Sequence, residues 1–190
     1  IIEVISGESL DVFLQERVFD PLGMVDTGFY VPEEKVDRLA ALYGHPDDAE
    51  SLTLLEKPEE SRFLTKPAFL SGGGGLVSTV PDYARFAQML TNGGELDGVR
   101  LLSPTTVAMF SRNQAPVAAL PYGFSEQDAY HAGYGYSLGT RVLMDVAATG
   151  LAGSEGEFGW DGAFNTYFWV DPQMSLYGLL MTQHQPNNYY

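Results

Sequence analysis

The chain has 190 residues, no cysteine, and 25 acidic against 10 basic side chains, which gives a formal net charge of −15. Nucleic acids and anionic membranes are bound by clustered positive charge, so neither is an expected partner, and no apolar run is long enough to span a bilayer. The lack of cysteine excludes disulfides, thiol nucleophiles and thiolate metal sites. Apolar residues make up 45% of the chain, enough for a buried core.

The length fits one domain over residues 1–190, or a large piece of one. Residue 1 is isoleucine, the chain opens in an apolar run with no cap before it, and it closes just after a strand-like stretch. We therefore expect the sequence to be a portion of a longer polypeptide, and function has to be argued from a partial record.

The first half predicts short helices followed by a long polar stretch. Residues 1–5 are typical of the last turn of a helix, which Gly7 can end in a left-handed conformation. Ser9 is a suitable N-cap for a second helix, which ends at the turn of residues 20–24. Residues 30–70 are polar and interrupted by proline, with no sustained period. Such long excursions often cover a functional site.

The middle of the chain predicts two capped helices. Thr79 can cap a helix that residues 92–94 (NGG) end, and its apolar stripe has helical spacing. Residues 96–99 (LDGV) indicate a tight turn between two short strands. Ser103 followed by proline predicts a further helix through about Phe110.

The last third predicts an antiparallel sheet. Residues 135–144, 157–170 and 175–182 are rich in aromatic and β-branched side chains, and Asp171-Pro172 fits a hairpin between the last two. Helices first and strands last indicate an α+β fold, an antiparallel sheet flanked by helices, rather than alternating βαβ units.

Two motifs suggest chemistry that their context does not favour. The glycines of residues 72–75 lack the following lysine of a phosphate-binding loop, so they predict a flexible approach to a helix, or a backbone lining for a pocket. Residues 135–139 (GYSLG) match a Gly-x-Ser-x-Gly nucleophile elbow, and an Asp-then-His order follows. The elbow needs a strand that turns into a helix, whereas residues 140–144 continue as strand, which favours Ser137 as an ordinary strand residue.

The ionisable side chains do not form a metal pattern. The three histidines, His45, His131 and His184, lie far apart and lack metal-ligand spacing, so we expect no metal and no cofactor. The acidic pairs at residues 33–34, 47–48 and 59–60 are typical of a solvated surface.

A further motif, residues 159–163 (GWDGA), places small residues at the start of an aromatic strand. Glycine within a strand often marks the close approach of another backbone or of a ligand. An indole beside such a gap can form the wall of a pocket, and the alternative is a tryptophan buried at the sheet edge.

The amino-acid sequence resembles the serine β-lactamase-like hydrolases, in particular the branch of class C β-lactamases and family VIII carboxylesterases. The resemblance is carried by ordered segments, namely residues 19–24 (FDPLGM), 71–79 (SGGGGLVST), 82–86 (DYARF), 88–90 (QML), 92–94 (NGG), 100–104 (RLLSP) and 167–172 (YFWVDP). It covers nearly the whole chain and implies a partial β-lactamase/transpeptidase-like fold. It is much less specific for the substrate.

In that family a serine of a Ser-x-x-Lys motif attacks an ester or amide carbonyl, and a tyrosine of a Tyr-x-Asn motif assists. A third motif on a core strand, Lys-Thr-Gly or Trp-x-Gly, faces the nucleophile. The resemblance places Trp160-Asp161-Gly162 there. It implies that Trp160 lines the acyl pocket, that Gly162 lets the strand approach substrate, and that the Ala163 amide donates to the oxyanion.

The chain departs from the family in what it lacks. The residues three places before Lys35, Lys57 and Lys66 are Pro32, Leu54 and Phe63, so no Ser-x-x-Lys is present. Neither is a Tyr-x-Asn motif, nor the family's last helix after Gln183. The resemblance implies the C-terminal portion of a serine carboxylesterase, inactive alone, whose partners are a small ester or amide and the N-terminal remainder of the protein. A β-lactamase, a D-amino-acid peptidase and a non-catalytic binding protein stay open as alternatives.

Overall fold

The computed structural model describes residues 1–45, 51–120 and 132–186. The chain divides into two compact units. The first consists of Ile1–Arg85, Asp161–Thr166 and Leu180–Tyr190, and the second of Phe86–Trp160 and Tyr167–Leu179. Helices and antiparallel strands are both present, which confirms the predicted α+β class.

The first unit opens with short helices that glycines end. Helix α1 (Ile2–Ser6) stops at Gly7, which has a φ of 76°. Helix α2 (Leu10–Leu14) continues through a π-helical turn, Gln15–Phe19, into α3 (Asp20–Leu22). The final turn ends at Gly23, whose φ is 65°. Both left-handed glycines lie where the sequence predicts helix ends, because glycine adopts this conformation without steric cost.

The predicted cap of α2 is correct in position but not in chemistry. Ser9 is the N-cap residue, yet its side chain makes no capping hydrogen bond and donates to the Asp11 carboxylate at 2.7 Å. The Glu3 carboxylate accepts from the Leu10 N–H at 3.0 Å instead. The first amide of the helix is thus bonded by Glu3, seven residues earlier, and not by the Ser9 side chain that the sequence predicted as the cap.

The polar stretch of residues 30–70 contains two short strands that its composition does not indicate. Strands β1 (Leu42–Gly44) and β2 (Thr53–Glu56) pair in antiparallel fashion. Among the described residues, 3₁₀-helical segments lie at Glu33–Arg38, Pro58–Glu60, Arg62–Leu64 and, later in the chain, Val117–Ala119. Strand β1 also pairs in parallel with β10 (His184–Gln185), with Tyr43 opposite His184. Strands of two to four residues are too short for alternation to show in the sequence.

Helix α4 (Val80–Thr91) begins in the first unit and ends in the second. The Thr79 hydroxyl accepts from the Asp82 N–H at 3.3 Å, which confirms the predicted cap. A two-residue hairpin of β3 (Glu95–Leu96) and β4 (Val99–Arg100) follows, and both of its turn residues have positive φ, as the Asp-Gly sequence predicts. Helix α5 (Pro104–Phe110) is capped by the Ser103 hydroxyl, also as predicted.

The principal sheet has five strands in the order β5-β6-β7-β8-β9. They are β5 (Tyr134–Tyr136), β6 (Arg141–Leu143), β7 (Phe158–Asp161), β8 (Tyr167–Asp171) and β9 (Leu176–Leu180), with α6 (Val146–Thr149) between β6 and β7. Two of the three predicted strands are therefore hairpins. They reverse at left-handed residues, Gly139 with a φ of 80° and Asn165 with a φ of 59°.

Strand β7 lies in the core of the second unit at its beginning and becomes more exposed toward its end. Phe158 is 1% exposed, and its ring centroid lies 5.3 Å from that of Phe110. Gly159 is buried, and Trp160 and Asp161 are half-buried. The buried beginning of β7 therefore anchors its more exposed end, where the candidate site residues Trp160 and Asp161 lie.

The sequence left open whether a ligand or another backbone lies close to the strand glycines. At Gly159 it is another backbone. A Cβ on Gly159 would overlap the Phe168 carbonyl oxygen on β8 and lie 2.8 Å from the Trp169 Cα. We expect Gly159→Ala to lower the free energy of unfolding by about 1–3 kcal/mol, because neither strand can move without repacking. Urea denaturation measures the change.

The matched control for this prediction is Gly72→Ala. Gly72 is exposed, and nothing lies within 4 Å of a Cβ placed there. The free energy of unfolding of the Gly72→Ala variant should differ from that of the wild type by no more than about 0.5 kcal/mol. Equal stabilities of the two variants would contradict the expected clash.

Candidate active site

The candidate site begins with a tight turn that joins β7 to β8. The Gly162 N–H donates to the Thr166 carbonyl at 2.7 Å, and the Asn165 N–H donates to the Gly162 carbonyl at 3.0 Å. Ala163 and Phe164 therefore occupy the two central positions of a four-residue turn, and the left-handed Asn165 follows them. This is the pattern of a three-residue hairpin loop, a type I turn followed by a left-handed residue.

The Ala163 amide is a donor of this turn that makes no bond within the turn. Ala163 is exposed, and its N–H makes no hydrogen bond to any residue that the structure describes. A backbone N–H at the first central position of a turn points away from the ladder, so it can donate to a bound group. The oxyanion role of Ala163 stays a prediction, and an N–H without a protein acceptor is one precondition for it.

Gly162 leaves room for the Thr166 side chain. A Cβ on Gly162 would overlap the Thr166 hydroxyl, within the same turn. A larger residue at position 162 would require the Thr166 side chain to move. The role of Gly162 in letting the strand approach substrate stays a prediction.

Trp160 forms an aromatic pair with Tyr136 in the second unit. Their ring centroids are 5.7 Å apart and their planes are inclined at 84°, an edge-to-face contact. Trp160 is half-buried and Tyr136 is 37% exposed. The indole therefore has one supported side and keeps exposed surface, unlike a tryptophan wholly enclosed in a core.

Tyr136 is held by the loop that precedes its strand. The Asn113 side-chain oxygen accepts from the Tyr136 N–H at 3.1 Å, and the Tyr136 carbonyl accepts from the Gln114 N–H at 2.8 Å. Asn113 also caps its own loop through Ala115. Sequence reasoning missed Tyr136, because no local pattern relates it to a residue two strands away.

The alternative nucleophile Ser137 is in a turn and is already hydrogen bonded. It is 5% exposed, and its hydroxyl donates to the Met109 carbonyl at 2.7 Å. Strand β6 follows at Arg141, so the strand-to-helix reversal of a nucleophile elbow is absent there. Ser137 is a turn residue rather than the predicted strand residue, because left-handed Gly139 reverses the chain.

We expect Ser137→Ala to leave ester turnover unchanged and to lower the free energy of unfolding by about 1 kcal/mol, because the part-buried hydrogen bond to the Met109 carbonyl is lost. Steady-state kinetics and urea denaturation measure the two effects separately. Loss of activity without loss of stability would contradict this assignment and restore the elbow.

The lysines of the chain are engaged with carboxylates. Lys35 pairs with Asp26 at 2.8 Å, Lys66 pairs with Asp11, and Lys57 lies 4.0 Å from Glu60. Hydrogen bonds from Arg38 and Lys35 hold the pKa of Asp26 well below its usual value. Burial raises the pKa of Tyr83 to about 12, which makes that phenol a poor base at neutral pH.

The structure gives no support to a metal site among the residues it describes. Residues 1–45, 51–120 and 132–186 contain no group of three or more His, Cys, Asp or Glu side chains that could hold a metal ion. The rings of His45 and His184 are 5.3 Å apart, and both side chains are buried. His131 and the acidic pair at residues 47–48 lie outside the described residues. Over the same ranges, no helix has the length and apolar character needed to cross a membrane.

The fold matches solved hydrolases of the β-lactamase and penicillin-binding type. The hydrolase EstCE1, described as having promiscuous acyltransferase activity, superposes with a TM-score of 0.77 at 24% identity, over 96% of this chain and 48% of that one. The arrangement of helices and antiparallel strands is therefore the β-lactamase-like fold that the resemblance implies.

The chain belongs to the beta-lactamase family, whose family model matches residues 1–189. It is 34% identical to Protein Rv1367c of Mycobacterium tuberculosis over 98% of this chain and 46% of that protein. It is 29% identical to Esterase EstB of Burkholderia gladioli over 96% of this chain and 46% of that protein. The chain thus spans about half the length of the relatives it matches.

Proposed function

We propose that this chain supplies one wall and one oxyanion donor to the active site of a serine carboxylesterase that cleaves small esters. In this scheme a serine hydroxyl attacks the ester carbonyl, the alcohol leaves, and water hydrolyses the acyl-enzyme. The observation that carries the proposal is the N–H of the exposed Ala163, which has no acceptor among the described residues and follows directly on Trp160-Asp161-Gly162.

The nucleophile and its bases are proposed to lie on polypeptide outside this sequence. None of the three lysines follows a serine by three residues, and no Tyr-x-Asn is present. The matched relatives are about twice as long, with 46% of their length covered. By this proposal the 190 residues alone are inactive, and their first partner is the remainder of the same protein.

Trp160 supports esters over carboxylate-bearing substrates. In the third motif of the β-lactamases a lysine can hold the carboxylate of the antibiotic through a charge-assisted hydrogen bond. An indole has one N–H and no charge, so it offers apolar surface to an acyl chain instead. The relative Esterase EstB is named for the same class of reaction.

The test uses the whole protein that contains this chain. A fluorophosphonate probe should label one serine, and short-chain nitrophenyl esters should be turned over faster than a chromogenic cephalosporin. Cephalosporin preference by orders of magnitude would indicate a β-lactamase or a peptidase of the family. Absence of labelling would indicate a non-catalytic binding protein.

A further inference from the structure

Asn165 occupies the most demanding backbone position of the turn that carries Ala163. Its φ of 59° is left-handed, a conformation that asparagine tolerates better than most side chains. It is the closing residue of the hairpin loop, since its N–H returns to the Gly162 carbonyl. The conformation of Asn165 therefore sets the geometry of the residues before it.

The Asn165 side chain ties the turn to the last described segment of the chain. Its amide nitrogen lies 3.1 Å from the His184 carbonyl, 3.0 Å from the Pro186 carbonyl and 3.2 Å from the His184 Nδ1. Two carbonyl oxygens accept only from a donor, so the NH₂ group and not the oxygen must face them. One side chain thus spans from the loop to two residues of strand β10 and its extension.

The same segment also holds the backbone of the turn. The Thr182 hydroxyl lies 2.9 Å from the Phe164 carbonyl and 2.8 Å from the Asn165 carbonyl, and the His184 N–H donates to the Phe164 carbonyl at 3.2 Å. The Phe164 and Asn165 carbonyls are therefore both bonded, while the N–H of the exposed Ala163 has no acceptor among the described residues. The last described segment thus holds the turn through these two carbonyls.

Strand β10 is itself supported by the polar excursion. It pairs in parallel with β1, where Gly44 lies opposite Gln185. A Cβ on Gly44 would overlap the Gln185 carbonyl oxygen, so the two strands approach as closely as glycine permits. The polar stretch of residues 30–70 thus helps, through β1, to support the strand that holds the turn, in addition to any part it takes in covering a site.

From these contacts we propose that Asn165 is a positioning residue of the oxyanion turn: its side-chain amide, braced by residues 182–186, fixes the direction of the Ala163 N–H. The inference rests on the proposed esterase function. It concerns a residue that touches neither substrate nor nucleophile, and it acts through Ala163. Oxyanion donors are effective only when they are aimed in advance at the developing charge.

The test compares two left-handed residues in neighbouring hairpins. Asn165→Gly keeps the backbone conformation and removes the side-chain amide, because glycine adopts a positive φ freely. Ser175→Gly makes the same kind of change at the exposed Ser175, whose φ is 52°. In the whole protein we expect Asn165→Gly to lower kcat per active site about 10- to 100-fold with KM nearly unchanged, and Ser175→Gly to change neither.

Active sites are counted by fluorophosphonate labelling, so misfolded molecules do not enter the value of kcat. A second pair, Thr182→Val and Thr182→Ser, removes and restores the hydroxyl that holds the same carbonyls. We expect valine to lower kcat per site and serine to return it. A labelled fraction that falls while kcat per labelled site stays at the wild-type value would show a merely structural role and overturn the inference.

Failure of the inference is distinguishable from failure of the proposed function. If the wild-type protein labels and hydrolyses esters but Asn165→Gly keeps its kcat per site, the positioning role alone is wrong. If the wild-type protein neither labels nor hydrolyses esters, the proposed function is wrong and the inference falls with it.

Discussion

Replacing Ala163 by proline should lower kcat for ester hydrolysis by about 10²- to 10³-fold, because it deletes one oxyanion donor. Proline has no N–H, and its fixed φ suits the first central position of a type I turn, which is the position of Ala163 between Gly162 and Phe164. The substitution therefore removes a proton donor while it keeps the loop. The measurement is steady-state hydrolysis of a nitrophenyl ester by the whole protein, with sites counted by fluorophosphonate labelling.

The controls for this prediction are Ala163→Gly and Ala163→Ser, which both keep the N–H. Ala163 is exposed, so neither change disturbs a packed core, and kcat should remain within a few-fold of the wild-type value. Unaltered turnover in the proline variant would remove Ala163 from the active site. Equal losses in all three variants would assign the effect to the side chain and not to the amide.

Replacing Trp160 by alanine should lower kcat/KM for esters by about 100-fold, which corresponds to ~2.7 kcal/mol of lost transition-state binding. The indole is supported on one side by the Tyr136 ring at a centroid distance of 5.7 Å and keeps exposed surface. Removing it deletes an apolar surface that is already oriented. The loss should grow as the acyl chain of the ester is lengthened, because longer chains bury more area against the indole.

Trp160→Phe is the matched control, since it keeps an aromatic surface against Tyr136 at a smaller size. We expect it to retain most of the activity toward short esters. A loss in Trp160→Ala that is the same for every chain length would show that Trp160 supports the sheet and does not line an acyl pocket. Urea denaturation of both variants separates the stability change from the kinetic one.

The local signals of the sequence predicted the elements that are stabilised within a few residues. The helix ends at Gly7 and Gly23, the caps at Thr79 and Ser103, and the Asp-Gly hairpin all lie where the sequence places them. Each of these depends on backbone preferences or on hydrogen bonds within one turn. Such preferences act on the chain wherever it folds, so composition and spacing were sufficient to predict them.

The sequence was less informative about the sheet. Its aromatic and β-branched stretches predicted strands, but not the reversals that break two of them. Gly139 reverses one stretch, and Asn165 the other, through a left-handed conformation. Asparagine tolerates that conformation without requiring it, so only the contacts of Asn165 with residues nineteen and twenty-one positions later select it.

The sequence by itself determined the α+β class and the family, because these depend on residue order and short-range preference, and it predicts which stretch carries the third motif. Only the tertiary structure decided that the N–H of the exposed Ala163 has no acceptor among the described residues, that Tyr136 packs against Trp160 and that β10 holds the turn. Each of those facts depends on two segments that meet in space. The local conformational preferences of one segment do not predict where the other segment lies. A hydrogen bond between them forms only when folding brings both together.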